Sequence, residues 1–171
     1  VNASIFIPKT GTDDARIFTE GLQNKSVHIV SDTDIVVYAH SYNTMTSAAT
    51  MLMPVETYGY KYFSLNYSQS TSGFSPPTST STTTQNGRLS TQTYTVNLMK
   101  GEMYNVMGKL SSGNQLWAAS KDLSGSKVVS VPGADGACHP VAMFSGSSGI
   151  RLCRMDGGEV MQQQVFPTQA W

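Results

Sequence analysis

Apolar and polar residues alternate along this chain in short runs. Val27–Val30, Tyr62–Tyr67 and Tyr94–Leu98 place apolar side chains at alternate positions. A period of two is typical of half-buried strands, because successive side chains of a strand point to opposite faces. Turn-forming residues such as Lys9–Gly11 and Pro132-Gly133 separate the runs. The pattern predicts an all-β protein of the sandwich, barrel or propeller type.

One stretch has helical spacing instead. Met99, Met103 and Met107 fall at positions i, i+4 and i+8. Gly101 lies inside this stretch, and the alternating run Tyr94–Leu98 directly precedes it. We therefore interpret the stretch as part of a hairpin and not as a helix.

Two segments of the chain occur twice. Ile35–His40 matches Val141–Gly146 at an offset of 106 residues, and Met51–Tyr58 matches Gln164–Trp171 at an offset of 113. Each copy has a buried strand, a variable loop, a second strand, and a proline followed four residues later by an aromatic residue. The repeat predicts two tandem antiparallel sheet units of about four strands each, arranged like propeller blades or like the faces of a sandwich.

The copies are separated by a low-complexity segment. Residues 68–84 hold Ser or Thr at 12 of 17 positions, together with a Pro pair. Such a segment has too little apolar surface to fold, so we expect an exposed loop, either bearing O-linked sugars or serving as a plain solvated linker. The predicted organisation is a first β unit at 1–67, a linker or loop at 68–90, and a second unit at 91–171. The second copy stops before its last strand, so we expect this unit to be incomplete and the chain to be a fragment or to continue.

The composition narrows the classes of function. Charged residues make up 13% of the chain, and 11 basic residues balance 11 acidic ones, while Ser and Thr account for 40 of the 171 residues. With balanced charge, the chain lacks the excess of basic residues that is typical of nucleic-acid-binding proteins. No apolar stretch approaches the roughly 20 residues that a membrane-spanning helix needs, so no membrane insertion is expected.

Two cysteines, Cys138 and Cys153, lie close together in the sequence. In an oxidising compartment they are expected to form a disulfide, whose closed loop contributes roughly 3 kcal/mol in the chain-entropy model. The alternative is a pair of buried free thiols in a cytosolic protein. Three Asn-x-Ser triplets begin at Asn2, Asn24 and Asn66, and they are candidates for N-glycosylation.

Six stretches carry a family resemblance when they are taken together and in order. They are SVHIVSDTDIVVYAHSYN, TMLMPVETYGYKYFSLNY, VNLMKGEMYNV, DLSGSKVVSV, CHPVAMFSGSSGI and MQQQVFPTQAW. With them the chain resembles the IgG-Fc-binding domain family, found at the N-termini of secreted mucin-like animal proteins and in surface proteins of some bacteria. It departs from the family pattern at Asp34-Ile35, where a proline is more frequent, and in ending before an expected glycine. The resemblance implies an extracellular adhesive or matrix-associated module, but no residue here can be matched to Fc binding.

The residues that could carry catalysis or bind metal have simpler interpretations. Cys138-His139 are adjacent on a predicted strand and point to opposite faces, and Gly146–Gly149 lacks the spacing of a nucleophile elbow. None of the three histidines has a second ligand at the spacing of a zinc site. We therefore predict no enzyme, no metal site and no cofactor. The remaining candidates are Asp13-Asp14 and Asp32–Asp34, interpreted as surface turns and not as calcium ligands, and Met45, Met51 and Met53, interpreted as core and not as a copper site.

The sequence thus predicts a non-enzymatic extracellular module, secreted or at the cell surface, with an adhesive or structural role in matrix, mucus or a surface filament. Its expected partners are copies of itself or other extracellular glycoproteins. The alternative is a soluble carbohydrate-recognition domain in which Tyr58, Tyr60 or Trp171 stack on sugar rings. Exposure of these three aromatic side chains separates the two hypotheses, because buried rings favour the structural module.

Overall fold

A computed structural model describes residues 3–42, 46–67, 84–109, 121–150 and 159–171 of the chain. The regular structure of these residues consists of short strands and two 3-10 helices. In chain order they are β1 (Gly21–Gln23), β2 (Val37–Tyr42), β3 (Ser47–Leu52), the first 3-10 helix (Val55–Thr57), β4 (Lys61–Phe63), β5 (Met103–Asn105), β6 (Lys127–Val129), β7 (Met143–Ile150), β8 (Glu159–Val165) and the second 3-10 helix (Thr168–Ala170). The described ranges contain no α-helix, so the all-β prediction is confirmed. The physical reason is a composition rich in Ser, Thr and Val and poor in strong helix formers.

The strands form four antiparallel pairs, namely β1 with β5, β2 with β3, β4 with β6, and β7 with β8. The β2–β3 and β7–β8 pairs are hairpins of neighbouring strands. The β1–β5 and β4–β6 pairs join the first half of the chain to the second. The grouping into units of four strands, as blades or as a sandwich, stays a prediction.

The sequence repeat is present as a repeated structure. β2 starts at Val37 and β7 at Met143, the first offset, while β3 ends at Leu52 and β8 at Val165, the second offset. Pro54 and Pro167 precede the two 3-10 helices with backbone angles of −63°/155° and −66°/152°. In each copy the proline carbonyl accepts a hydrogen bond from the N–H three residues later, at 3.0 Å in the first and 2.9 Å in the second. The fixed φ of proline sets the same turn twice.

A buried carboxylate ties the β1–β5 ladder to the end of the predicted linker. Glu20, just before β1, accepts hydrogen bonds from the Thr84 hydroxyl and the Asn86 N–H, both at 2.9 Å. Arg88 Nε lies 3.6 Å from the same carboxylate, and an Arg88 NH2 group donates to the Tyr104 hydroxyl at 2.6 Å. The carboxylate thus has partners for its lone pairs, as a buried charge requires.

Two details differ from the sequence prediction. Val27–Val30 and Tyr94–Leu98 were predicted as strands, but neither pairs with another strand in the described part of the chain. Alternation shows that a segment has one apolar face, whereas a strand also needs the backbone of a neighbouring segment to pair with. β2 is largely exposed and not buried, because Tyr38, His40 and Tyr42 lie on the face opposite to Ser41, which contacts β8. The stretch from Met99 to Met103 is not helical, as predicted: it contains a turn at Gly101, with φ of 87°, that leads into β5, and β5 pairs with β1.

Within the described ranges, no helix has the length and apolar character needed to cross a membrane. Met45, the linker residues 68–83 and Cys153 lie outside the described residues.

Candidate functional site

The two copies of the hairpin meet between β3 and β8. The Thr50 hydroxyl oxygen accepts a hydrogen bond from the Gln164 N–H at 3.1 Å, and the Gln164 side-chain oxygen accepts one from the Met53 N–H at 2.8 Å. Ser41 Oγ donates to the side-chain oxygen of Gln162 at 2.7 Å. Thr50 and Gln164 are both buried. Polar side chains therefore join the repeats by hydrogen-bonding to side chains and backbone groups of the facing hairpin.

A closed ring of hydrogen bonds connects the first repeat to the start of the second hairpin. The Gly59 N–H donates to the Tyr62 hydroxyl at 2.8 Å, and this hydroxyl donates to the Val141 carbonyl at 2.5 Å. The Val141 N–H in turn donates to the Gly59 carbonyl at 2.9 Å. Tyr62 is 1% exposed, and this burial raises the pKa of its hydroxyl above the ordinary value. The hydroxyl thus stays protonated and able to donate.

Gly59 packs directly against the second proline turn. A Cβ atom at Gly59 would lie 2.3 Å from Cβ of Pro167 and 2.9 Å from the side-chain oxygen of Gln169. These distances are far below van der Waals contact, so only glycine fits against the second proline turn. Pro167 is buried by this contact.

The junction leaves the opposite face of the first hairpin open to solvent. Tyr38, His40 and Tyr42 of β2 alternate toward this side, and Tyr38 lies directly opposite Met51 of β3. Tyr38 is 60% exposed, Tyr42 is 70% exposed and Met51 is 50% exposed. We call Tyr38, His40, Tyr42 and Met51 the tyrosine face. Tyrosine rings combine a large apolar area with a polar tip, which is the chemistry of binding surfaces.

The tyrosine face was not predicted from the sequence. Tyr38 was assigned to a core strand and Met51 to the core, and both assignments are wrong, because the hydrogen bonds to β8 are made by Ser41 and Thr50 on the opposite face of the hairpin. A usable signal was present in the spacing of Tyr38, His40 and Tyr42, which puts three polar-tipped rings on one side of a strand.

The aromatic residues predicted for sugar stacking lie outside the tyrosine face, and they differ in solvent exposure. Tyr58 is half-buried, whereas Tyr60 and Trp171 are exposed. The Trp171 ring packs 6.2 Å from the ring of Phe63, measured between centroids, at an angle of 34°. Two of the three rings therefore remain accessible to a ligand.

Asp14, one of the acidic candidates for calcium, and Asp135, which was not one, are both engaged by neighbouring groups. Asp14 binds Arg16 through both carboxylate oxygens, and the side-chain hydrogen bond from Arg16 lowers the pKa of Asp14 to about 2. Asp135 accepts a hydrogen bond from the Ala137 N–H and contacts a ring nitrogen of His139 at 2.7 Å, and these contacts lower its pKa. Among the described residues, no three His, Cys, Asp or Glu side chains cluster as a metal site.

The Gly146–Gly149 segment, which was compared with a nucleophile elbow, lies inside β7. Gly146 and Ser147 belong to β7, and the Ser147 hydroxyl donates to the Tyr67 carbonyl at 2.6 Å. A nucleophile elbow needs a sharp turn from a strand into a helix, which differs from this arrangement.

The modification candidates differ in their surroundings. Cys138 is exposed, and because Cys153 lies outside the described residues the disulfide stays a prediction. Asn24 is exposed, whereas Asn66 is half-buried and its side-chain oxygen accepts a hydrogen bond from the Gly146 N–H at 3.1 Å. Asn2 lies outside the described residues. Glycosylation at each of these positions stays a prediction.

A repeated hairpin held by polar side chains, with one aromatic face left exposed, defines a β-rich binding module. The chain matches the family model described as IgGFc binding protein over residues 48–171, from β3 to Trp171. This chain therefore belongs to the IgGFc binding protein family, as the six sequence stretches predicted. Comparisons with curated proteins and with solved structures found no match. Membership suggests an extracellular protein-binding module, and the family is one of binding domains and not of enzymes.

Proposed function

We propose that this chain is a non-enzymatic extracellular module that has an adhesive or structural role and binds its protein partner through the tyrosine face. The observation that carries the proposal is the exposure of Tyr38 and Tyr42 beside Met51 on a hairpin whose other face is fixed by Thr50 and Gln164. A rigid aromatic surface loses little entropy on binding. Burying one large side chain contributes about 1.5–3 kcal/mol, so these three supply the energetic centre of an interface.

The proposed organisation is two β repeat units, at 1–67 and 91–171, on either side of the Ser/Thr/Pro-rich segment 68–90. In a secreted protein, the Cys138–Cys153 disulfide and a sugar on Asn24 would complete this organisation. Partners are other extracellular glycoproteins or further copies of the chain.

Carbohydrate recognition is the second candidate function, and the exposure of Tyr60 and Trp171 favours it. Open aromatic rings can stack on the apolar face of a sugar. The two functions use different surfaces of the chain, so they can be separated by mutation.

The test is biolayer interferometry with the immobilised chain and purified IgG Fc, before and after removal of its sugars by a glycosidase. Protein recognition predicts equal binding of both Fc forms and a loss of about tenfold or more for the double variant Tyr38→Ser/Tyr42→Ser. Tyr60→Ser is the matched control, since it removes an exposed tyrosine outside the tyrosine face, and it should bind as the parent does. Binding that is lost with the sugars, or with Tyr60→Ser alone, would move the function to carbohydrate recognition. Failure of both Fc forms to bind would remove Fc as the partner.

A further inference from the structure

Each half of the chain pairs one strand with the other half. We define the first half as residues 3–67 and the second as residues 84–171, on either side of segment 68–83. β1, which precedes the first hairpin, pairs with β5 of the second half, and β6, which precedes the second hairpin, pairs with β4 of the first half. β1 at Gly21 and β6 at Lys127 have the offset of 106 residues that also separates the start of β2 from that of β7. The two ladders are therefore equivalent within the repeat, and the exchange of strands is reciprocal.

The registers of the two ladders agree with this equivalence. Tyr62 of β4 lies opposite Val128, the middle residue of β6. Tyr104 of β5 lies opposite Leu22, the middle residue of β1. We call β4 and β5 the crossing strands. A tyrosine thus occupies the centre of each crossing strand and faces the equivalent residue of the opposite half.

A glycine stands three positions before each of these tyrosines and contacts the opposite half through its carbonyl. The Gly59 carbonyl accepts a hydrogen bond from the Val141 N–H at 2.9 Å. The Gly101 carbonyl accepts one from the Ser26 hydroxyl. Each crossing strand is therefore fixed to the opposite half at two points, by its ladder and by the carbonyl of the preceding glycine.

The buried polar side chains lie between the halves. The described ranges bury six polar or charged residues, which are Glu20, Thr50, Ser64, Thr84, Ser145 and Gln164. Every one of them makes a hydrogen bond to a residue of the opposite half. Separation of the halves would take these partners away, and a polar group that is buried without a partner is costly. Folding of each half and association of the two halves are therefore expected to be one event.

The residues that border segment 68–83 are also held by the opposite half. On one side, the Ser147 hydroxyl donates to the Tyr67 carbonyl at 2.6 Å and accepts from the Tyr67 N–H at 3.1 Å. On the other side, the buried Glu20 carboxylate accepts from the Thr84 hydroxyl at 2.9 Å. The contacts between the halves thus extend up to both borders of the segment and do not involve the segment itself.

We propose that the two halves are a reciprocally exchanged pair that remains one folded protein when the chain is cut between residues 67 and 84. Segment 68–83 is rich in Ser and Thr, and its sequence predicts an exposed loop, so a protease that cleaves there leaves a two-chain protein and not two released fragments. The tyrosine face belongs to the first half. A partner bound to it would therefore stay attached to the second half after a cut.

The test inserts a recognition site for a sequence-specific protease into segment 68–83 of the full chain and cleaves the purified protein after folding. We expect the two pieces to elute together in gel filtration at about 1 µM, because a complex with a nanomolar Kd stays intact at this concentration. The urea midpoint of the cut protein should rise with protein concentration, since unfolding then releases two chains. The midpoint of the uncut protein should not depend on concentration.

A matched pair of glutamate variants tests the contacts between the halves. Glu20→Gln removes the charge that Arg88 and the Thr84 hydroxyl contact, and the Kd of the two pieces should increase by about tenfold or more. Glu56→Gln changes an exposed glutamate of the same half and should leave the Kd unchanged. The far-ultraviolet circular dichroism of each uncut variant shows that it is folded before cleavage.

Three outcomes would overturn the proposal. The first is separate elution of the two pieces, and the second is unfolding of the protein on cleavage. The third is a urea midpoint of the cut protein that does not depend on concentration, because each half would then have a fold of its own. Equal effects of Glu20→Gln and Glu56→Gln would refute the part that we assign to Glu20. Fc binding does not enter these measurements, so this proposal and the proposed function can fail separately.

Discussion

The Tyr62 hydroxyl donates a 2.5 Å hydrogen bond to the carbonyl of Val141, a residue 79 positions later in the chain. The same hydroxyl accepts from the Gly59 N–H, so one oxygen satisfies two backbone groups in the interior. This contact fixes residues 59–62 on the second repeat.

Tyr62→Phe keeps the ring and removes only this oxygen. The Gly59 N–H and the Val141 carbonyl then lose a partner each, and the free energy of unfolding should fall by about 1–3 kcal/mol. Urea denaturation measures the change. Tyr60→Phe is the control, because the Tyr60 ring is exposed, and an equal loss in both variants would refute the role of the hydroxyl.

Gly59→Ala should destabilise the contact with the second proline turn. The new methyl group would meet Pro167, and overpacking of this kind costs about 1–3 kcal/mol. Pro167→Gly removes the opposing atoms, so the double variant should lose less stability than the two single changes added together. If the losses of stability in the two single variants add up to that of the double variant, there is no steric contact between the two residues.

Thr50→Val tests the junction of the repeats. The Gln164 N–H is buried and would lose its acceptor, so the free energy of unfolding should fall by about 1–3 kcal/mol. Thr50→Ser retains the hydroxyl and serves as the control. If Thr50→Val is no less stable than Thr50→Ser, the hydrogen bond to the Gln164 N–H does not determine the stability.

The Asp14–Arg16 pair predicts a pH dependence of stability. The pKa of Asp14 lies at about 2 in the folded protein, below its ordinary value of 3.8, so the carboxylate is stabilised by folding. This contribution is complete above pH 3.8 and is lost as the pH falls towards 2. Both side chains are at the surface, so solvent and salt keep the effect small. Urea midpoints between these pH values should decline less steeply for Asp14→Asn than for the parent, with Asp13→Asn as the control, and parallel slopes would contradict the assignment.

Secretion from eukaryotic cells should place a sugar on Asn24 in preference to Asn66. Asn24 is exposed, whereas the Asn66 side chain is held against Gly146 of β7. Intact mass spectrometry of Asn24→Gln should show the loss of one glycan and that of Asn66→Gln no loss. A glycan found on Asn66 alone would reverse the assignment.

Local features of this fold were accessible from the sequence, and long-range features were not. Pro54 and Pro167 determine their turns through their own φ, so the repeat could be read from the residues alone. Val27–Val30 has the alternation of a strand but pairs with no other strand in the described residues. The alternation of apolar and polar residues does not determine which segment a strand pairs with. The exposure of Tyr38 likewise depends on which face of the hairpin β8 covers, and that choice is made by packing between distant segments.

The pairing of β1 with β5 and of β4 with β6 has a consequence for the order of events during synthesis. A nascent chain that has reached residue 67 has made the β2–β3 hairpin but not the partner of either β1 or β4. Both ladders must await segments translated later, and closing loops of this length makes the folding transition slow compared with that of proteins built from local contacts. The first half thus emerges with unpaired strand edges, and chaperone binding during translation is expected to concentrate on them.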